Sequence, residues 1–178
     1  MFRISNRKIT KSEAELVVRK IKLTPNIMGY SLIEWIRADH IIVAEDENGN
    51  IAGVCLNYDF HQDWNKIAAL FVFEEFRGMG LGKLLFYKSC EDALKRGKNV
   101  YTISANEIVI NMMKDLDFSI SDSLTNLPKV TNIKYKLAFY SHHIVWIMNF
   151  YRLQEIIRKI IVYKYQKKFI YGIKLFNS

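Results

Sequence analysis

A short stretch of this chain has the residue types and spacing to bind an anion. In Leu70-Phe71-Val72-Phe73-Glu74-Glu75-Phe76-Arg77-Gly78-Met79-Gly80-Leu81-Gly82-Lys83, an apolar run stops at a charged pair. Arg77 and three glycines at alternate positions follow, then a helical pattern from Leu84 to Leu94. This reads as a strand, a tight turn and the first turn of a helix. Glycine lets backbone approach a ligand closely. The free N–H groups and positive dipole end of a helix hold a phosphate well. The loop with a Gly, four residues and then Gly-Lys-Ser/Thr does not fit, because Leu84 follows Gly82-Lys83 and Gly78 stands only four residues before Gly82. The dinucleotide pattern of glycines at positions one, three and six fails at its sixth position, Lys83. Arg-x-x-Gly-x-Gly fits, with Arg77, Gly80 and Gly82.

The elements around this loop can be read in order. Phe2-Arg3-Ile4 is a short strand. Thr10 with Glu13, and Ser31 with Glu34, have the spacing of capping boxes and open two helices. Ile41–Ala44 and Ile51–Leu56 are strands joined through Asn48-Gly49, a hairpin turn signal. Residues 61–66 read as a polar connection, 67–73 as the strand before the loop, and 83–96 as the helix after it, ended by Gly97. Val100–Ser104 is a strand, Glu107–Leu116 a helix, and 118–124 and 133–139 read as two further strands around a loop with Pro128. The order predicts a mixed α/β sandwich with a partly antiparallel sheet.

Composition bounds the function classes. Of 178 residues, 50% are hydrophobic and 25% charged, which suits a globular domain rather than a disordered chain. No apolar run reaches the ~18–20 residues that cross a bilayer. Met1 to Ser5 lacks the apolar core of a signal peptide. Cys55 and Cys90 have no metal-type spacing, and four scattered His give no expected metal site. Buried free thiols in a cytoplasmic protein are the expectation. Residues 1–130 carry equal numbers of acids and bases, so the whole net charge of +8 belongs to residues 131–178, where Glu155 is the one acid.

The string from Leu70 to Leu85 resembles the acetyl-CoA pyrophosphate loop of the GNAT superfamily of N-acetyltransferases, with Glu74 where a Pro is common. A second stretch lies one strand and one helix later. Asn106, Val109 and Phe118 are similar to the family's Asn-x-x-Ala-x-x-x-Tyr-x-x-x-Gly-Phe. The resemblance implies a GNAT-like, mostly antiparallel mixed sheet flanked by helices. It implies acetyl-CoA as co-substrate, no metal, and transfer of acetyl to a primary amine of a small molecule, peptide or protein by direct attack on the thioester. By register, Phe71 and Val72 would meet the pantetheine arm, the backbone of Gly78, Met79, Gly80, Leu81, Gly82 and Lys83 would hold the pyrophosphate beside Arg77, and Asn106 would support the pantetheine side.

Two departures bear on catalysis. Met113 stands where many relatives have an acid Tyr, and a thioether donates no proton; Tyr101, Tyr135 and Tyr140 are substitutes. Lys66 stands where some relatives have a base Glu, and an ammonium with a pKa of about 10.4 is no base at neutral pH. Asp63, His61, Asp59 and Glu34 are the base candidates by topology, and for each a solvated loop or helix side chain is the preferred reading. These departures leave a non-catalytic acyl-CoA-binding regulator as an alternative.

The resemblance covers residues 1–140, the expected acyl-CoA-binding domain. Residues 141–178 read as a basic, aromatic-rich extension, packed on the domain or at a homodimer interface. Trp146, Phe150, Leu153, Ile157 and Ile160 form a helical apolar seam, with Asn149, Arg152, Glu155 and Lys159 off it. Residues 164–176 mix Lys with aromatics, and the alternation of Phe169, Tyr171, Ile173 and Leu175 suits a terminal strand. A surface for RNA or an anionic membrane is the sharper reading of this basic tail, and solvated basic residues on a packed appendage the preferred one. His142-His143 alone makes no metal site.

Overall fold

The computed structural model describes residues 2–25, 27–127, 130, 133–163 and 168–176. Both capping boxes form. Thr10 opens helix α1 (Lys11–Lys22) and Ser31 opens α2 (Leu32–Arg37), with Glu13 and Glu34 each reaching back to its cap backbone. Three antiparallel strands follow in space: β1 (Arg3–Asn6), β2 (His40–Glu45) and β3 (Ile51–Phe60). Strand β4 (Trp64–Val72) pairs antiparallel with β3 and leads to helix α3 (Leu81–Lys95). Strand β5 (Asn99–Ser104), helix α4 (Glu107–Asp115) and the short strand β6 (Ser119–Ser121) complete the middle of the chain.

Two expectations are corrected here. The polar connection at 61–66 is only three residues long, because Trp64, Asn65 and Lys66 are already strand and are buried. Alternation outranks polarity in this segment: Trp64 packs under a helix on one face while Asn65 bonds Asp59 on the other. The strand expected at 133–139 is the first half of helix α5 (Ile133–Ile147). Its apolar residues alternate over seven positions, but the longer window places Tyr135, Phe139, His142, His143 and Trp146 on one helical face. The loop with Pro128 and the Lys-rich residues 164–167 lie outside the described residues.

Helix α6 (Phe150–Tyr163) follows α5, and strand β7 (Ile170–Lys174) ends the described chain. The expected terminal strand therefore forms, and it forms inside the sheet. The strand order is β1-β2-β3-β4-β5-β7-β6, and β4 with β5 is the parallel pair in an otherwise antiparallel sheet. Helices α1 and α2 cover one face through Val17, Ile21, Trp35, Val43 and Phe71. On the other face α3 and α4 bury Leu85, Phe86, Cys90, Met112 and Met113. Helix α5 covers the β4–β5–β7 end of the first face, where Phe139 packs on Trp64, Tyr101 and Ile173.

Helix α6 sits the other way round from its sequence pattern. Arg152, Glu155 and Lys159 are buried, whereas Phe150, Leu153, Ile157 and Ile160 of the apolar seam are exposed. The cause is the backbone opposite. The segment joining α1 to α2 presents carbonyls at Lys22, Thr24 and Gly29, which accept from Arg158, Lys159 and Arg152 in turn. Charged donors satisfy buried carbonyls that an apolar seam would leave unpaired.

Gly172 on β7 lies against Met113 and Phe118, and a Cβ there would overlap the Met113 sulfur. Gly172→Ala is expected to lower unfolding free energy by about 1–3 kcal/mol through overpacking, measured by urea titration. Ile157→Gln, on the exposed seam, is expected to change it by no more than about 0.5 kcal/mol.

Candidate functional site

The parallel pair is short. β4 and β5 match from Trp64↔Asn99 to Ile67↔Thr102 and then part. At the last matched position the Thr102 hydroxyl donates to the Ile67 carbonyl, 3.1 Å away. A β-bulge at Ala68 shifts the β3–β4 register, so Leu56 faces Ala69 and Asn57 faces Ile67. Beyond it, Ala69 to Val72 remain paired to β3 on one side and open toward β5 on the other. The parting opens a cleft of about 1070 Å³. Residues 66–72 form one wall, Thr102 to Asn106 with Ile108, Val109 and Met112 another, and Tyr30, His143, Trp146 and Tyr171 close its inner end.

The glycine loop stands at the outer end. Gly78 and Gly80 have φ of 81° and 74°, in the left-handed region where a side chain is disfavoured. Gly80 is the N-cap of α3, and the first helical bond is Leu84 N–H to the Gly80 carbonyl. The N–H groups of Leu81, Gly82 and Lys83 thus have no helical carbonyl behind them. Leu81 is buried and anchors the turn, while Met79 is exposed. Arg77 Nε donates to the Val72 carbonyl at 3.2 Å, tying the loop to the end of β4. Lys83 pairs with Asp115 at 2.9 Å. Gly82 and Arg77 line the cleft with Phe71 and Val72. Asn106 also lines it and caps α4, accepting from Ile108 N–H at 2.9 Å. Arg77, Gly82, the strand edge and Asn106 therefore line one cleft, whereas Gly78, Met79, Gly80, Leu81 and Lys83 stand outside its lining.

The catalytic candidates are dispersed. Asp59 is bound to Arg96 at 2.8 Å, His61 occupies the β3–β4 turn, and Asp63 accepts from Tyr135 at 3.4 Å. None of the three lines the cleft. Glu34 is held by its own helix cap and by Arg152 Nη2 at 2.8 Å, and it too stands outside the lining. Met113 is fully buried against Gly172, so it packs the core while its neighbour Met112 faces the cleft. Among the tyrosines weighed, Tyr140 is exposed, and Tyr101 is buried with its hydroxyl 2.9 Å from His143 Nε2. His143 Nδ1 faces the Phe139 carbonyl at 2.8 Å and must donate to it, so Nε2 accepts the Tyr101 proton.

Lys66 is the group the sequence dismissed. It lines the cleft at 2% exposure, one residue before the strands part. Its Nζ lies 4.7 Å from the Trp146 ring centre and 3.4 Å from His142 Nε2, which the Tyr58 hydroxyl also approaches at 3.2 Å. Burial, with the Arg152 charge second and Glu34 opposing, pushes the amine down to about 7. Burial and the nearby Lys66 charge push His142 down to about 3, so its ring is neutral. The aromatic cage comes from β3, β5 and α5. The sequence signal for it was the i, i+3, i+4 spacing of Phe139, His142, His143 and Trp146, legible only once that segment is taken as helix. Among the described residues no three His, Cys, Asp or Glu are placed to hold a metal ion, and no helix is long and apolar enough to cross a membrane.

A model of the family described as acetyltransferase (GNAT) matches residues 15–118. Among solved structures, Rv2747 from Mycobacterium tuberculosis in complex with CoA superposes with a TM-score of 0.64 at 15% identity, covering 96% of this chain and 99% of that one. N-acetylglutamate synthase from Neisseria gonorrhoeae, complexed with coenzyme A and N-acetyl-glutamate, gives a TM-score of 0.58 at 18% identity over 79% of this chain. This chain spans 32% of that synthase. The putative acetyltransferase yncA from Salmonella typhimurium, with acetyl-CoA, gives 0.53 at 18% identity, over 67% of this chain and 81% of that one. No curated protein matches the sequence.

Burying Lys66 costs stability below its unfolded pKa. The unfolded lysine holds its proton up to about pH 10.5 and the folded one releases it near 7, so the unfolded state binds more protons between these values. Stability contributed at this position therefore rises with pH across that window. Lys66→Met is expected to raise unfolding free energy by about 1–4 kcal/mol at neutral pH, and by less at pH 10. Urea titrations at both pH values check the size and the sign.

Proposed function

This chain belongs to the GNAT acetyltransferase family, and we propose that it moves the acetyl group of acetyl-CoA to a primary amine by direct attack on the thioester. The observation that carries this reading is the parting of β4 and β5 after Ile67 and Thr102, which opens a cleft toward the capless N-terminus of α3. The backbone N–H groups from Gly78 to Lys83 would hold the pyrophosphate, where the helix dipole favours negative charge. The pantetheine arm would lie along the open edge from Val72 to Ala68 and bond its backbone, with Asn106 on the opposite wall. The amine's nitrogen forms the new bond to the acetyl carbon, and the CoA sulfur leaves with the bonding pair.

The acceptor side is lined by Leu23, Ile27, Met28 and Ile156, with Lys20 and Lys159 as its charged members. Burial, with Arg158 next and Glu155 opposing, lowers Lys159 to about 8. Apolar walls with basic side chains favour an amine that carries an apolar or acidic portion over a polycation. Phe150, Leu153 and Ile157 of the exposed α6 seam add support for a second copy or another apolar partner on the C-terminal helices, while Ile160 of the same seam lines the cleft.

Calorimetry with acetyl-CoA tests the donor site; no binding at high micromolar ligand sinks the reading. Gly80→Ala places a Cβ on left-handed backbone, at about 1–2 kcal/mol, and is expected to weaken binding about tenfold. Release of free CoA thiol is then followed across a panel of amines. Turnover is expected for amines with acidic or apolar groups and little for spermidine-like polycations. Binding with no thiol release for any acceptor would favour a non-catalytic CoA-binding role.

A further inference from the structure

The cleft contains an amine of its own. Strand β4 rises about 3.3 Å per residue, so its open edge from Val72 to Ala68 is roughly 13 Å long, a span that an extended pantetheine arm covers. If the pyrophosphate sits at the start of α3, as proposed above, the thioester arrives where the strands part. Lys66 is the cleft-lining residue just beyond that point. Its side chain is on the face covered by α5, with Trp64 and Tyr58, away from the core under α3.

The surroundings keep Lys66 reactive. Tyr58 faces it from β3, Tyr101 from β5, and His142, His143 and Trp146 from α5. The charges that reach it are Arg152 of α6 and Glu34 of α2, and these two are bonded to each other. Among the described residues no carboxylate lies within ion-pair distance of Nζ to hold it as an ammonium. His142 Nε2, on an uncharged ring, lies 3.4 Å from Nζ and helps to position the nitrogen.

We propose that Lys66 is an acetylation site that the protein modifies itself, its Nζ taking the acetyl group of bound acetyl-CoA when no acceptor is present. The Nζ lone pair attacks the thioester carbonyl. A carbon–nitrogen bond forms, the carbon–sulfur bond breaks, and sulfur leaves with the bonding pair. The proton displaced from Nζ goes to that sulfur, so the products are an amide on Lys66 and the free thiol of CoA. The amide carries no charge and fills the inner end of the cleft. A protein left with donor alone thereby closes its own acceptor side, whereas an acceptor amine competes for the same acetyl group.

The test needs no knowledge of the acceptor. The full chain is incubated with acetyl-CoA alone, then analysed by intact mass and peptide mapping, with acetyl-CoA affinity measured separately by calorimetry. One acetyl group per chain is expected, on Lys66, accumulating about tenfold faster at pH 8 than at pH 6, as a free amine titrating near 7 requires. Lys66→Met is expected to bind acetyl-CoA and to remain unmodified. Binding without acetyl on Lys66, or acetyl spread over Lys20, Lys159 and surface lysines at the rate of free lysine, overturns the proposal and leaves the donor site standing. Absence of calorimetric binding overturns both together.

Discussion

The structure depends on a hydrogen-bond pattern that stops. A parallel pair of strands satisfies its backbone groups only while the strands run together. Here β4 and β5 do so for four residue pairs and then separate. Everything around the site follows from that separation. The Thr102 hydroxyl secures the last matched position and the Ala68 bulge turns the strand outward. The glycine turn then carries β4 into a helix whose first turn lines the same opening through Gly82. An open strand edge and an uncapped helix start are liabilities in a closed core and assets in a ligand cleft. The cleft is a consequence of backbone geometry first and of side chains second.

The C-terminal helices complete the other half of the cleft, with unusual energetics. Helix α6 buries Arg152, Glu155 and Lys159 and leaves an apolar seam in solvent. Removing these charges from water is costly unless each meets a partner. Arg152 meets Glu34 and the Gly29 carbonyl, Lys159 the Thr24 carbonyl, and Glu155 the Arg158 guanidinium. Arg152 also stacks on Tyr30, 3.7 Å from the ring centre, and on Trp146. One guanidinium therefore links the α1–α2 connection, helix α5 and the aromatic cage around Lys66. Its charge also helps to depress the Lys66 amine, so the packing of α6 reaches the chemistry of β4.

What the sequence made legible was local. The capping boxes, the Asn48-Gly49 hairpin and the Arg77–Lys83 turn are set by residues within a few positions of one another, and each formed as read. The errors came from forces acting over long separations. Ile133 to Phe139 alternates like a strand, and only the buried face it shares with His142 and Trp146 makes it helix. The seam of α6 was visible as a seam, but its direction depends on carbonyls at Thr24 and Gly29, far back in the chain. Lys66 looked like part of a polar connection because His61, Gln62, Asp63 and Asn65 precede it. Its depth and its altered proton affinity come from Tyr58, His142, Trp146 and Arg152, drawn from three other elements. The glycine loop was legible as a motif; the inner end of the cleft had none because it is assembled from segments with no shared sequence pattern.

Strand β7 gives the fold a timing constraint. It lies between β5 and β6, and it is paired on both sides through Gly172, opposite Thr102 and Ile120. Those two strands are synthesised well before it. Until residues 170–174 leave the ribosome, β5 has an exposed edge and Met113 lacks the backbone it packs against. At roughly 5–20 residues per second, the growing chain spends several seconds with that edge open. The nascent protein must keep this edge from pairing elsewhere until β7, which follows both neighbouring strands in the sequence, inserts between them.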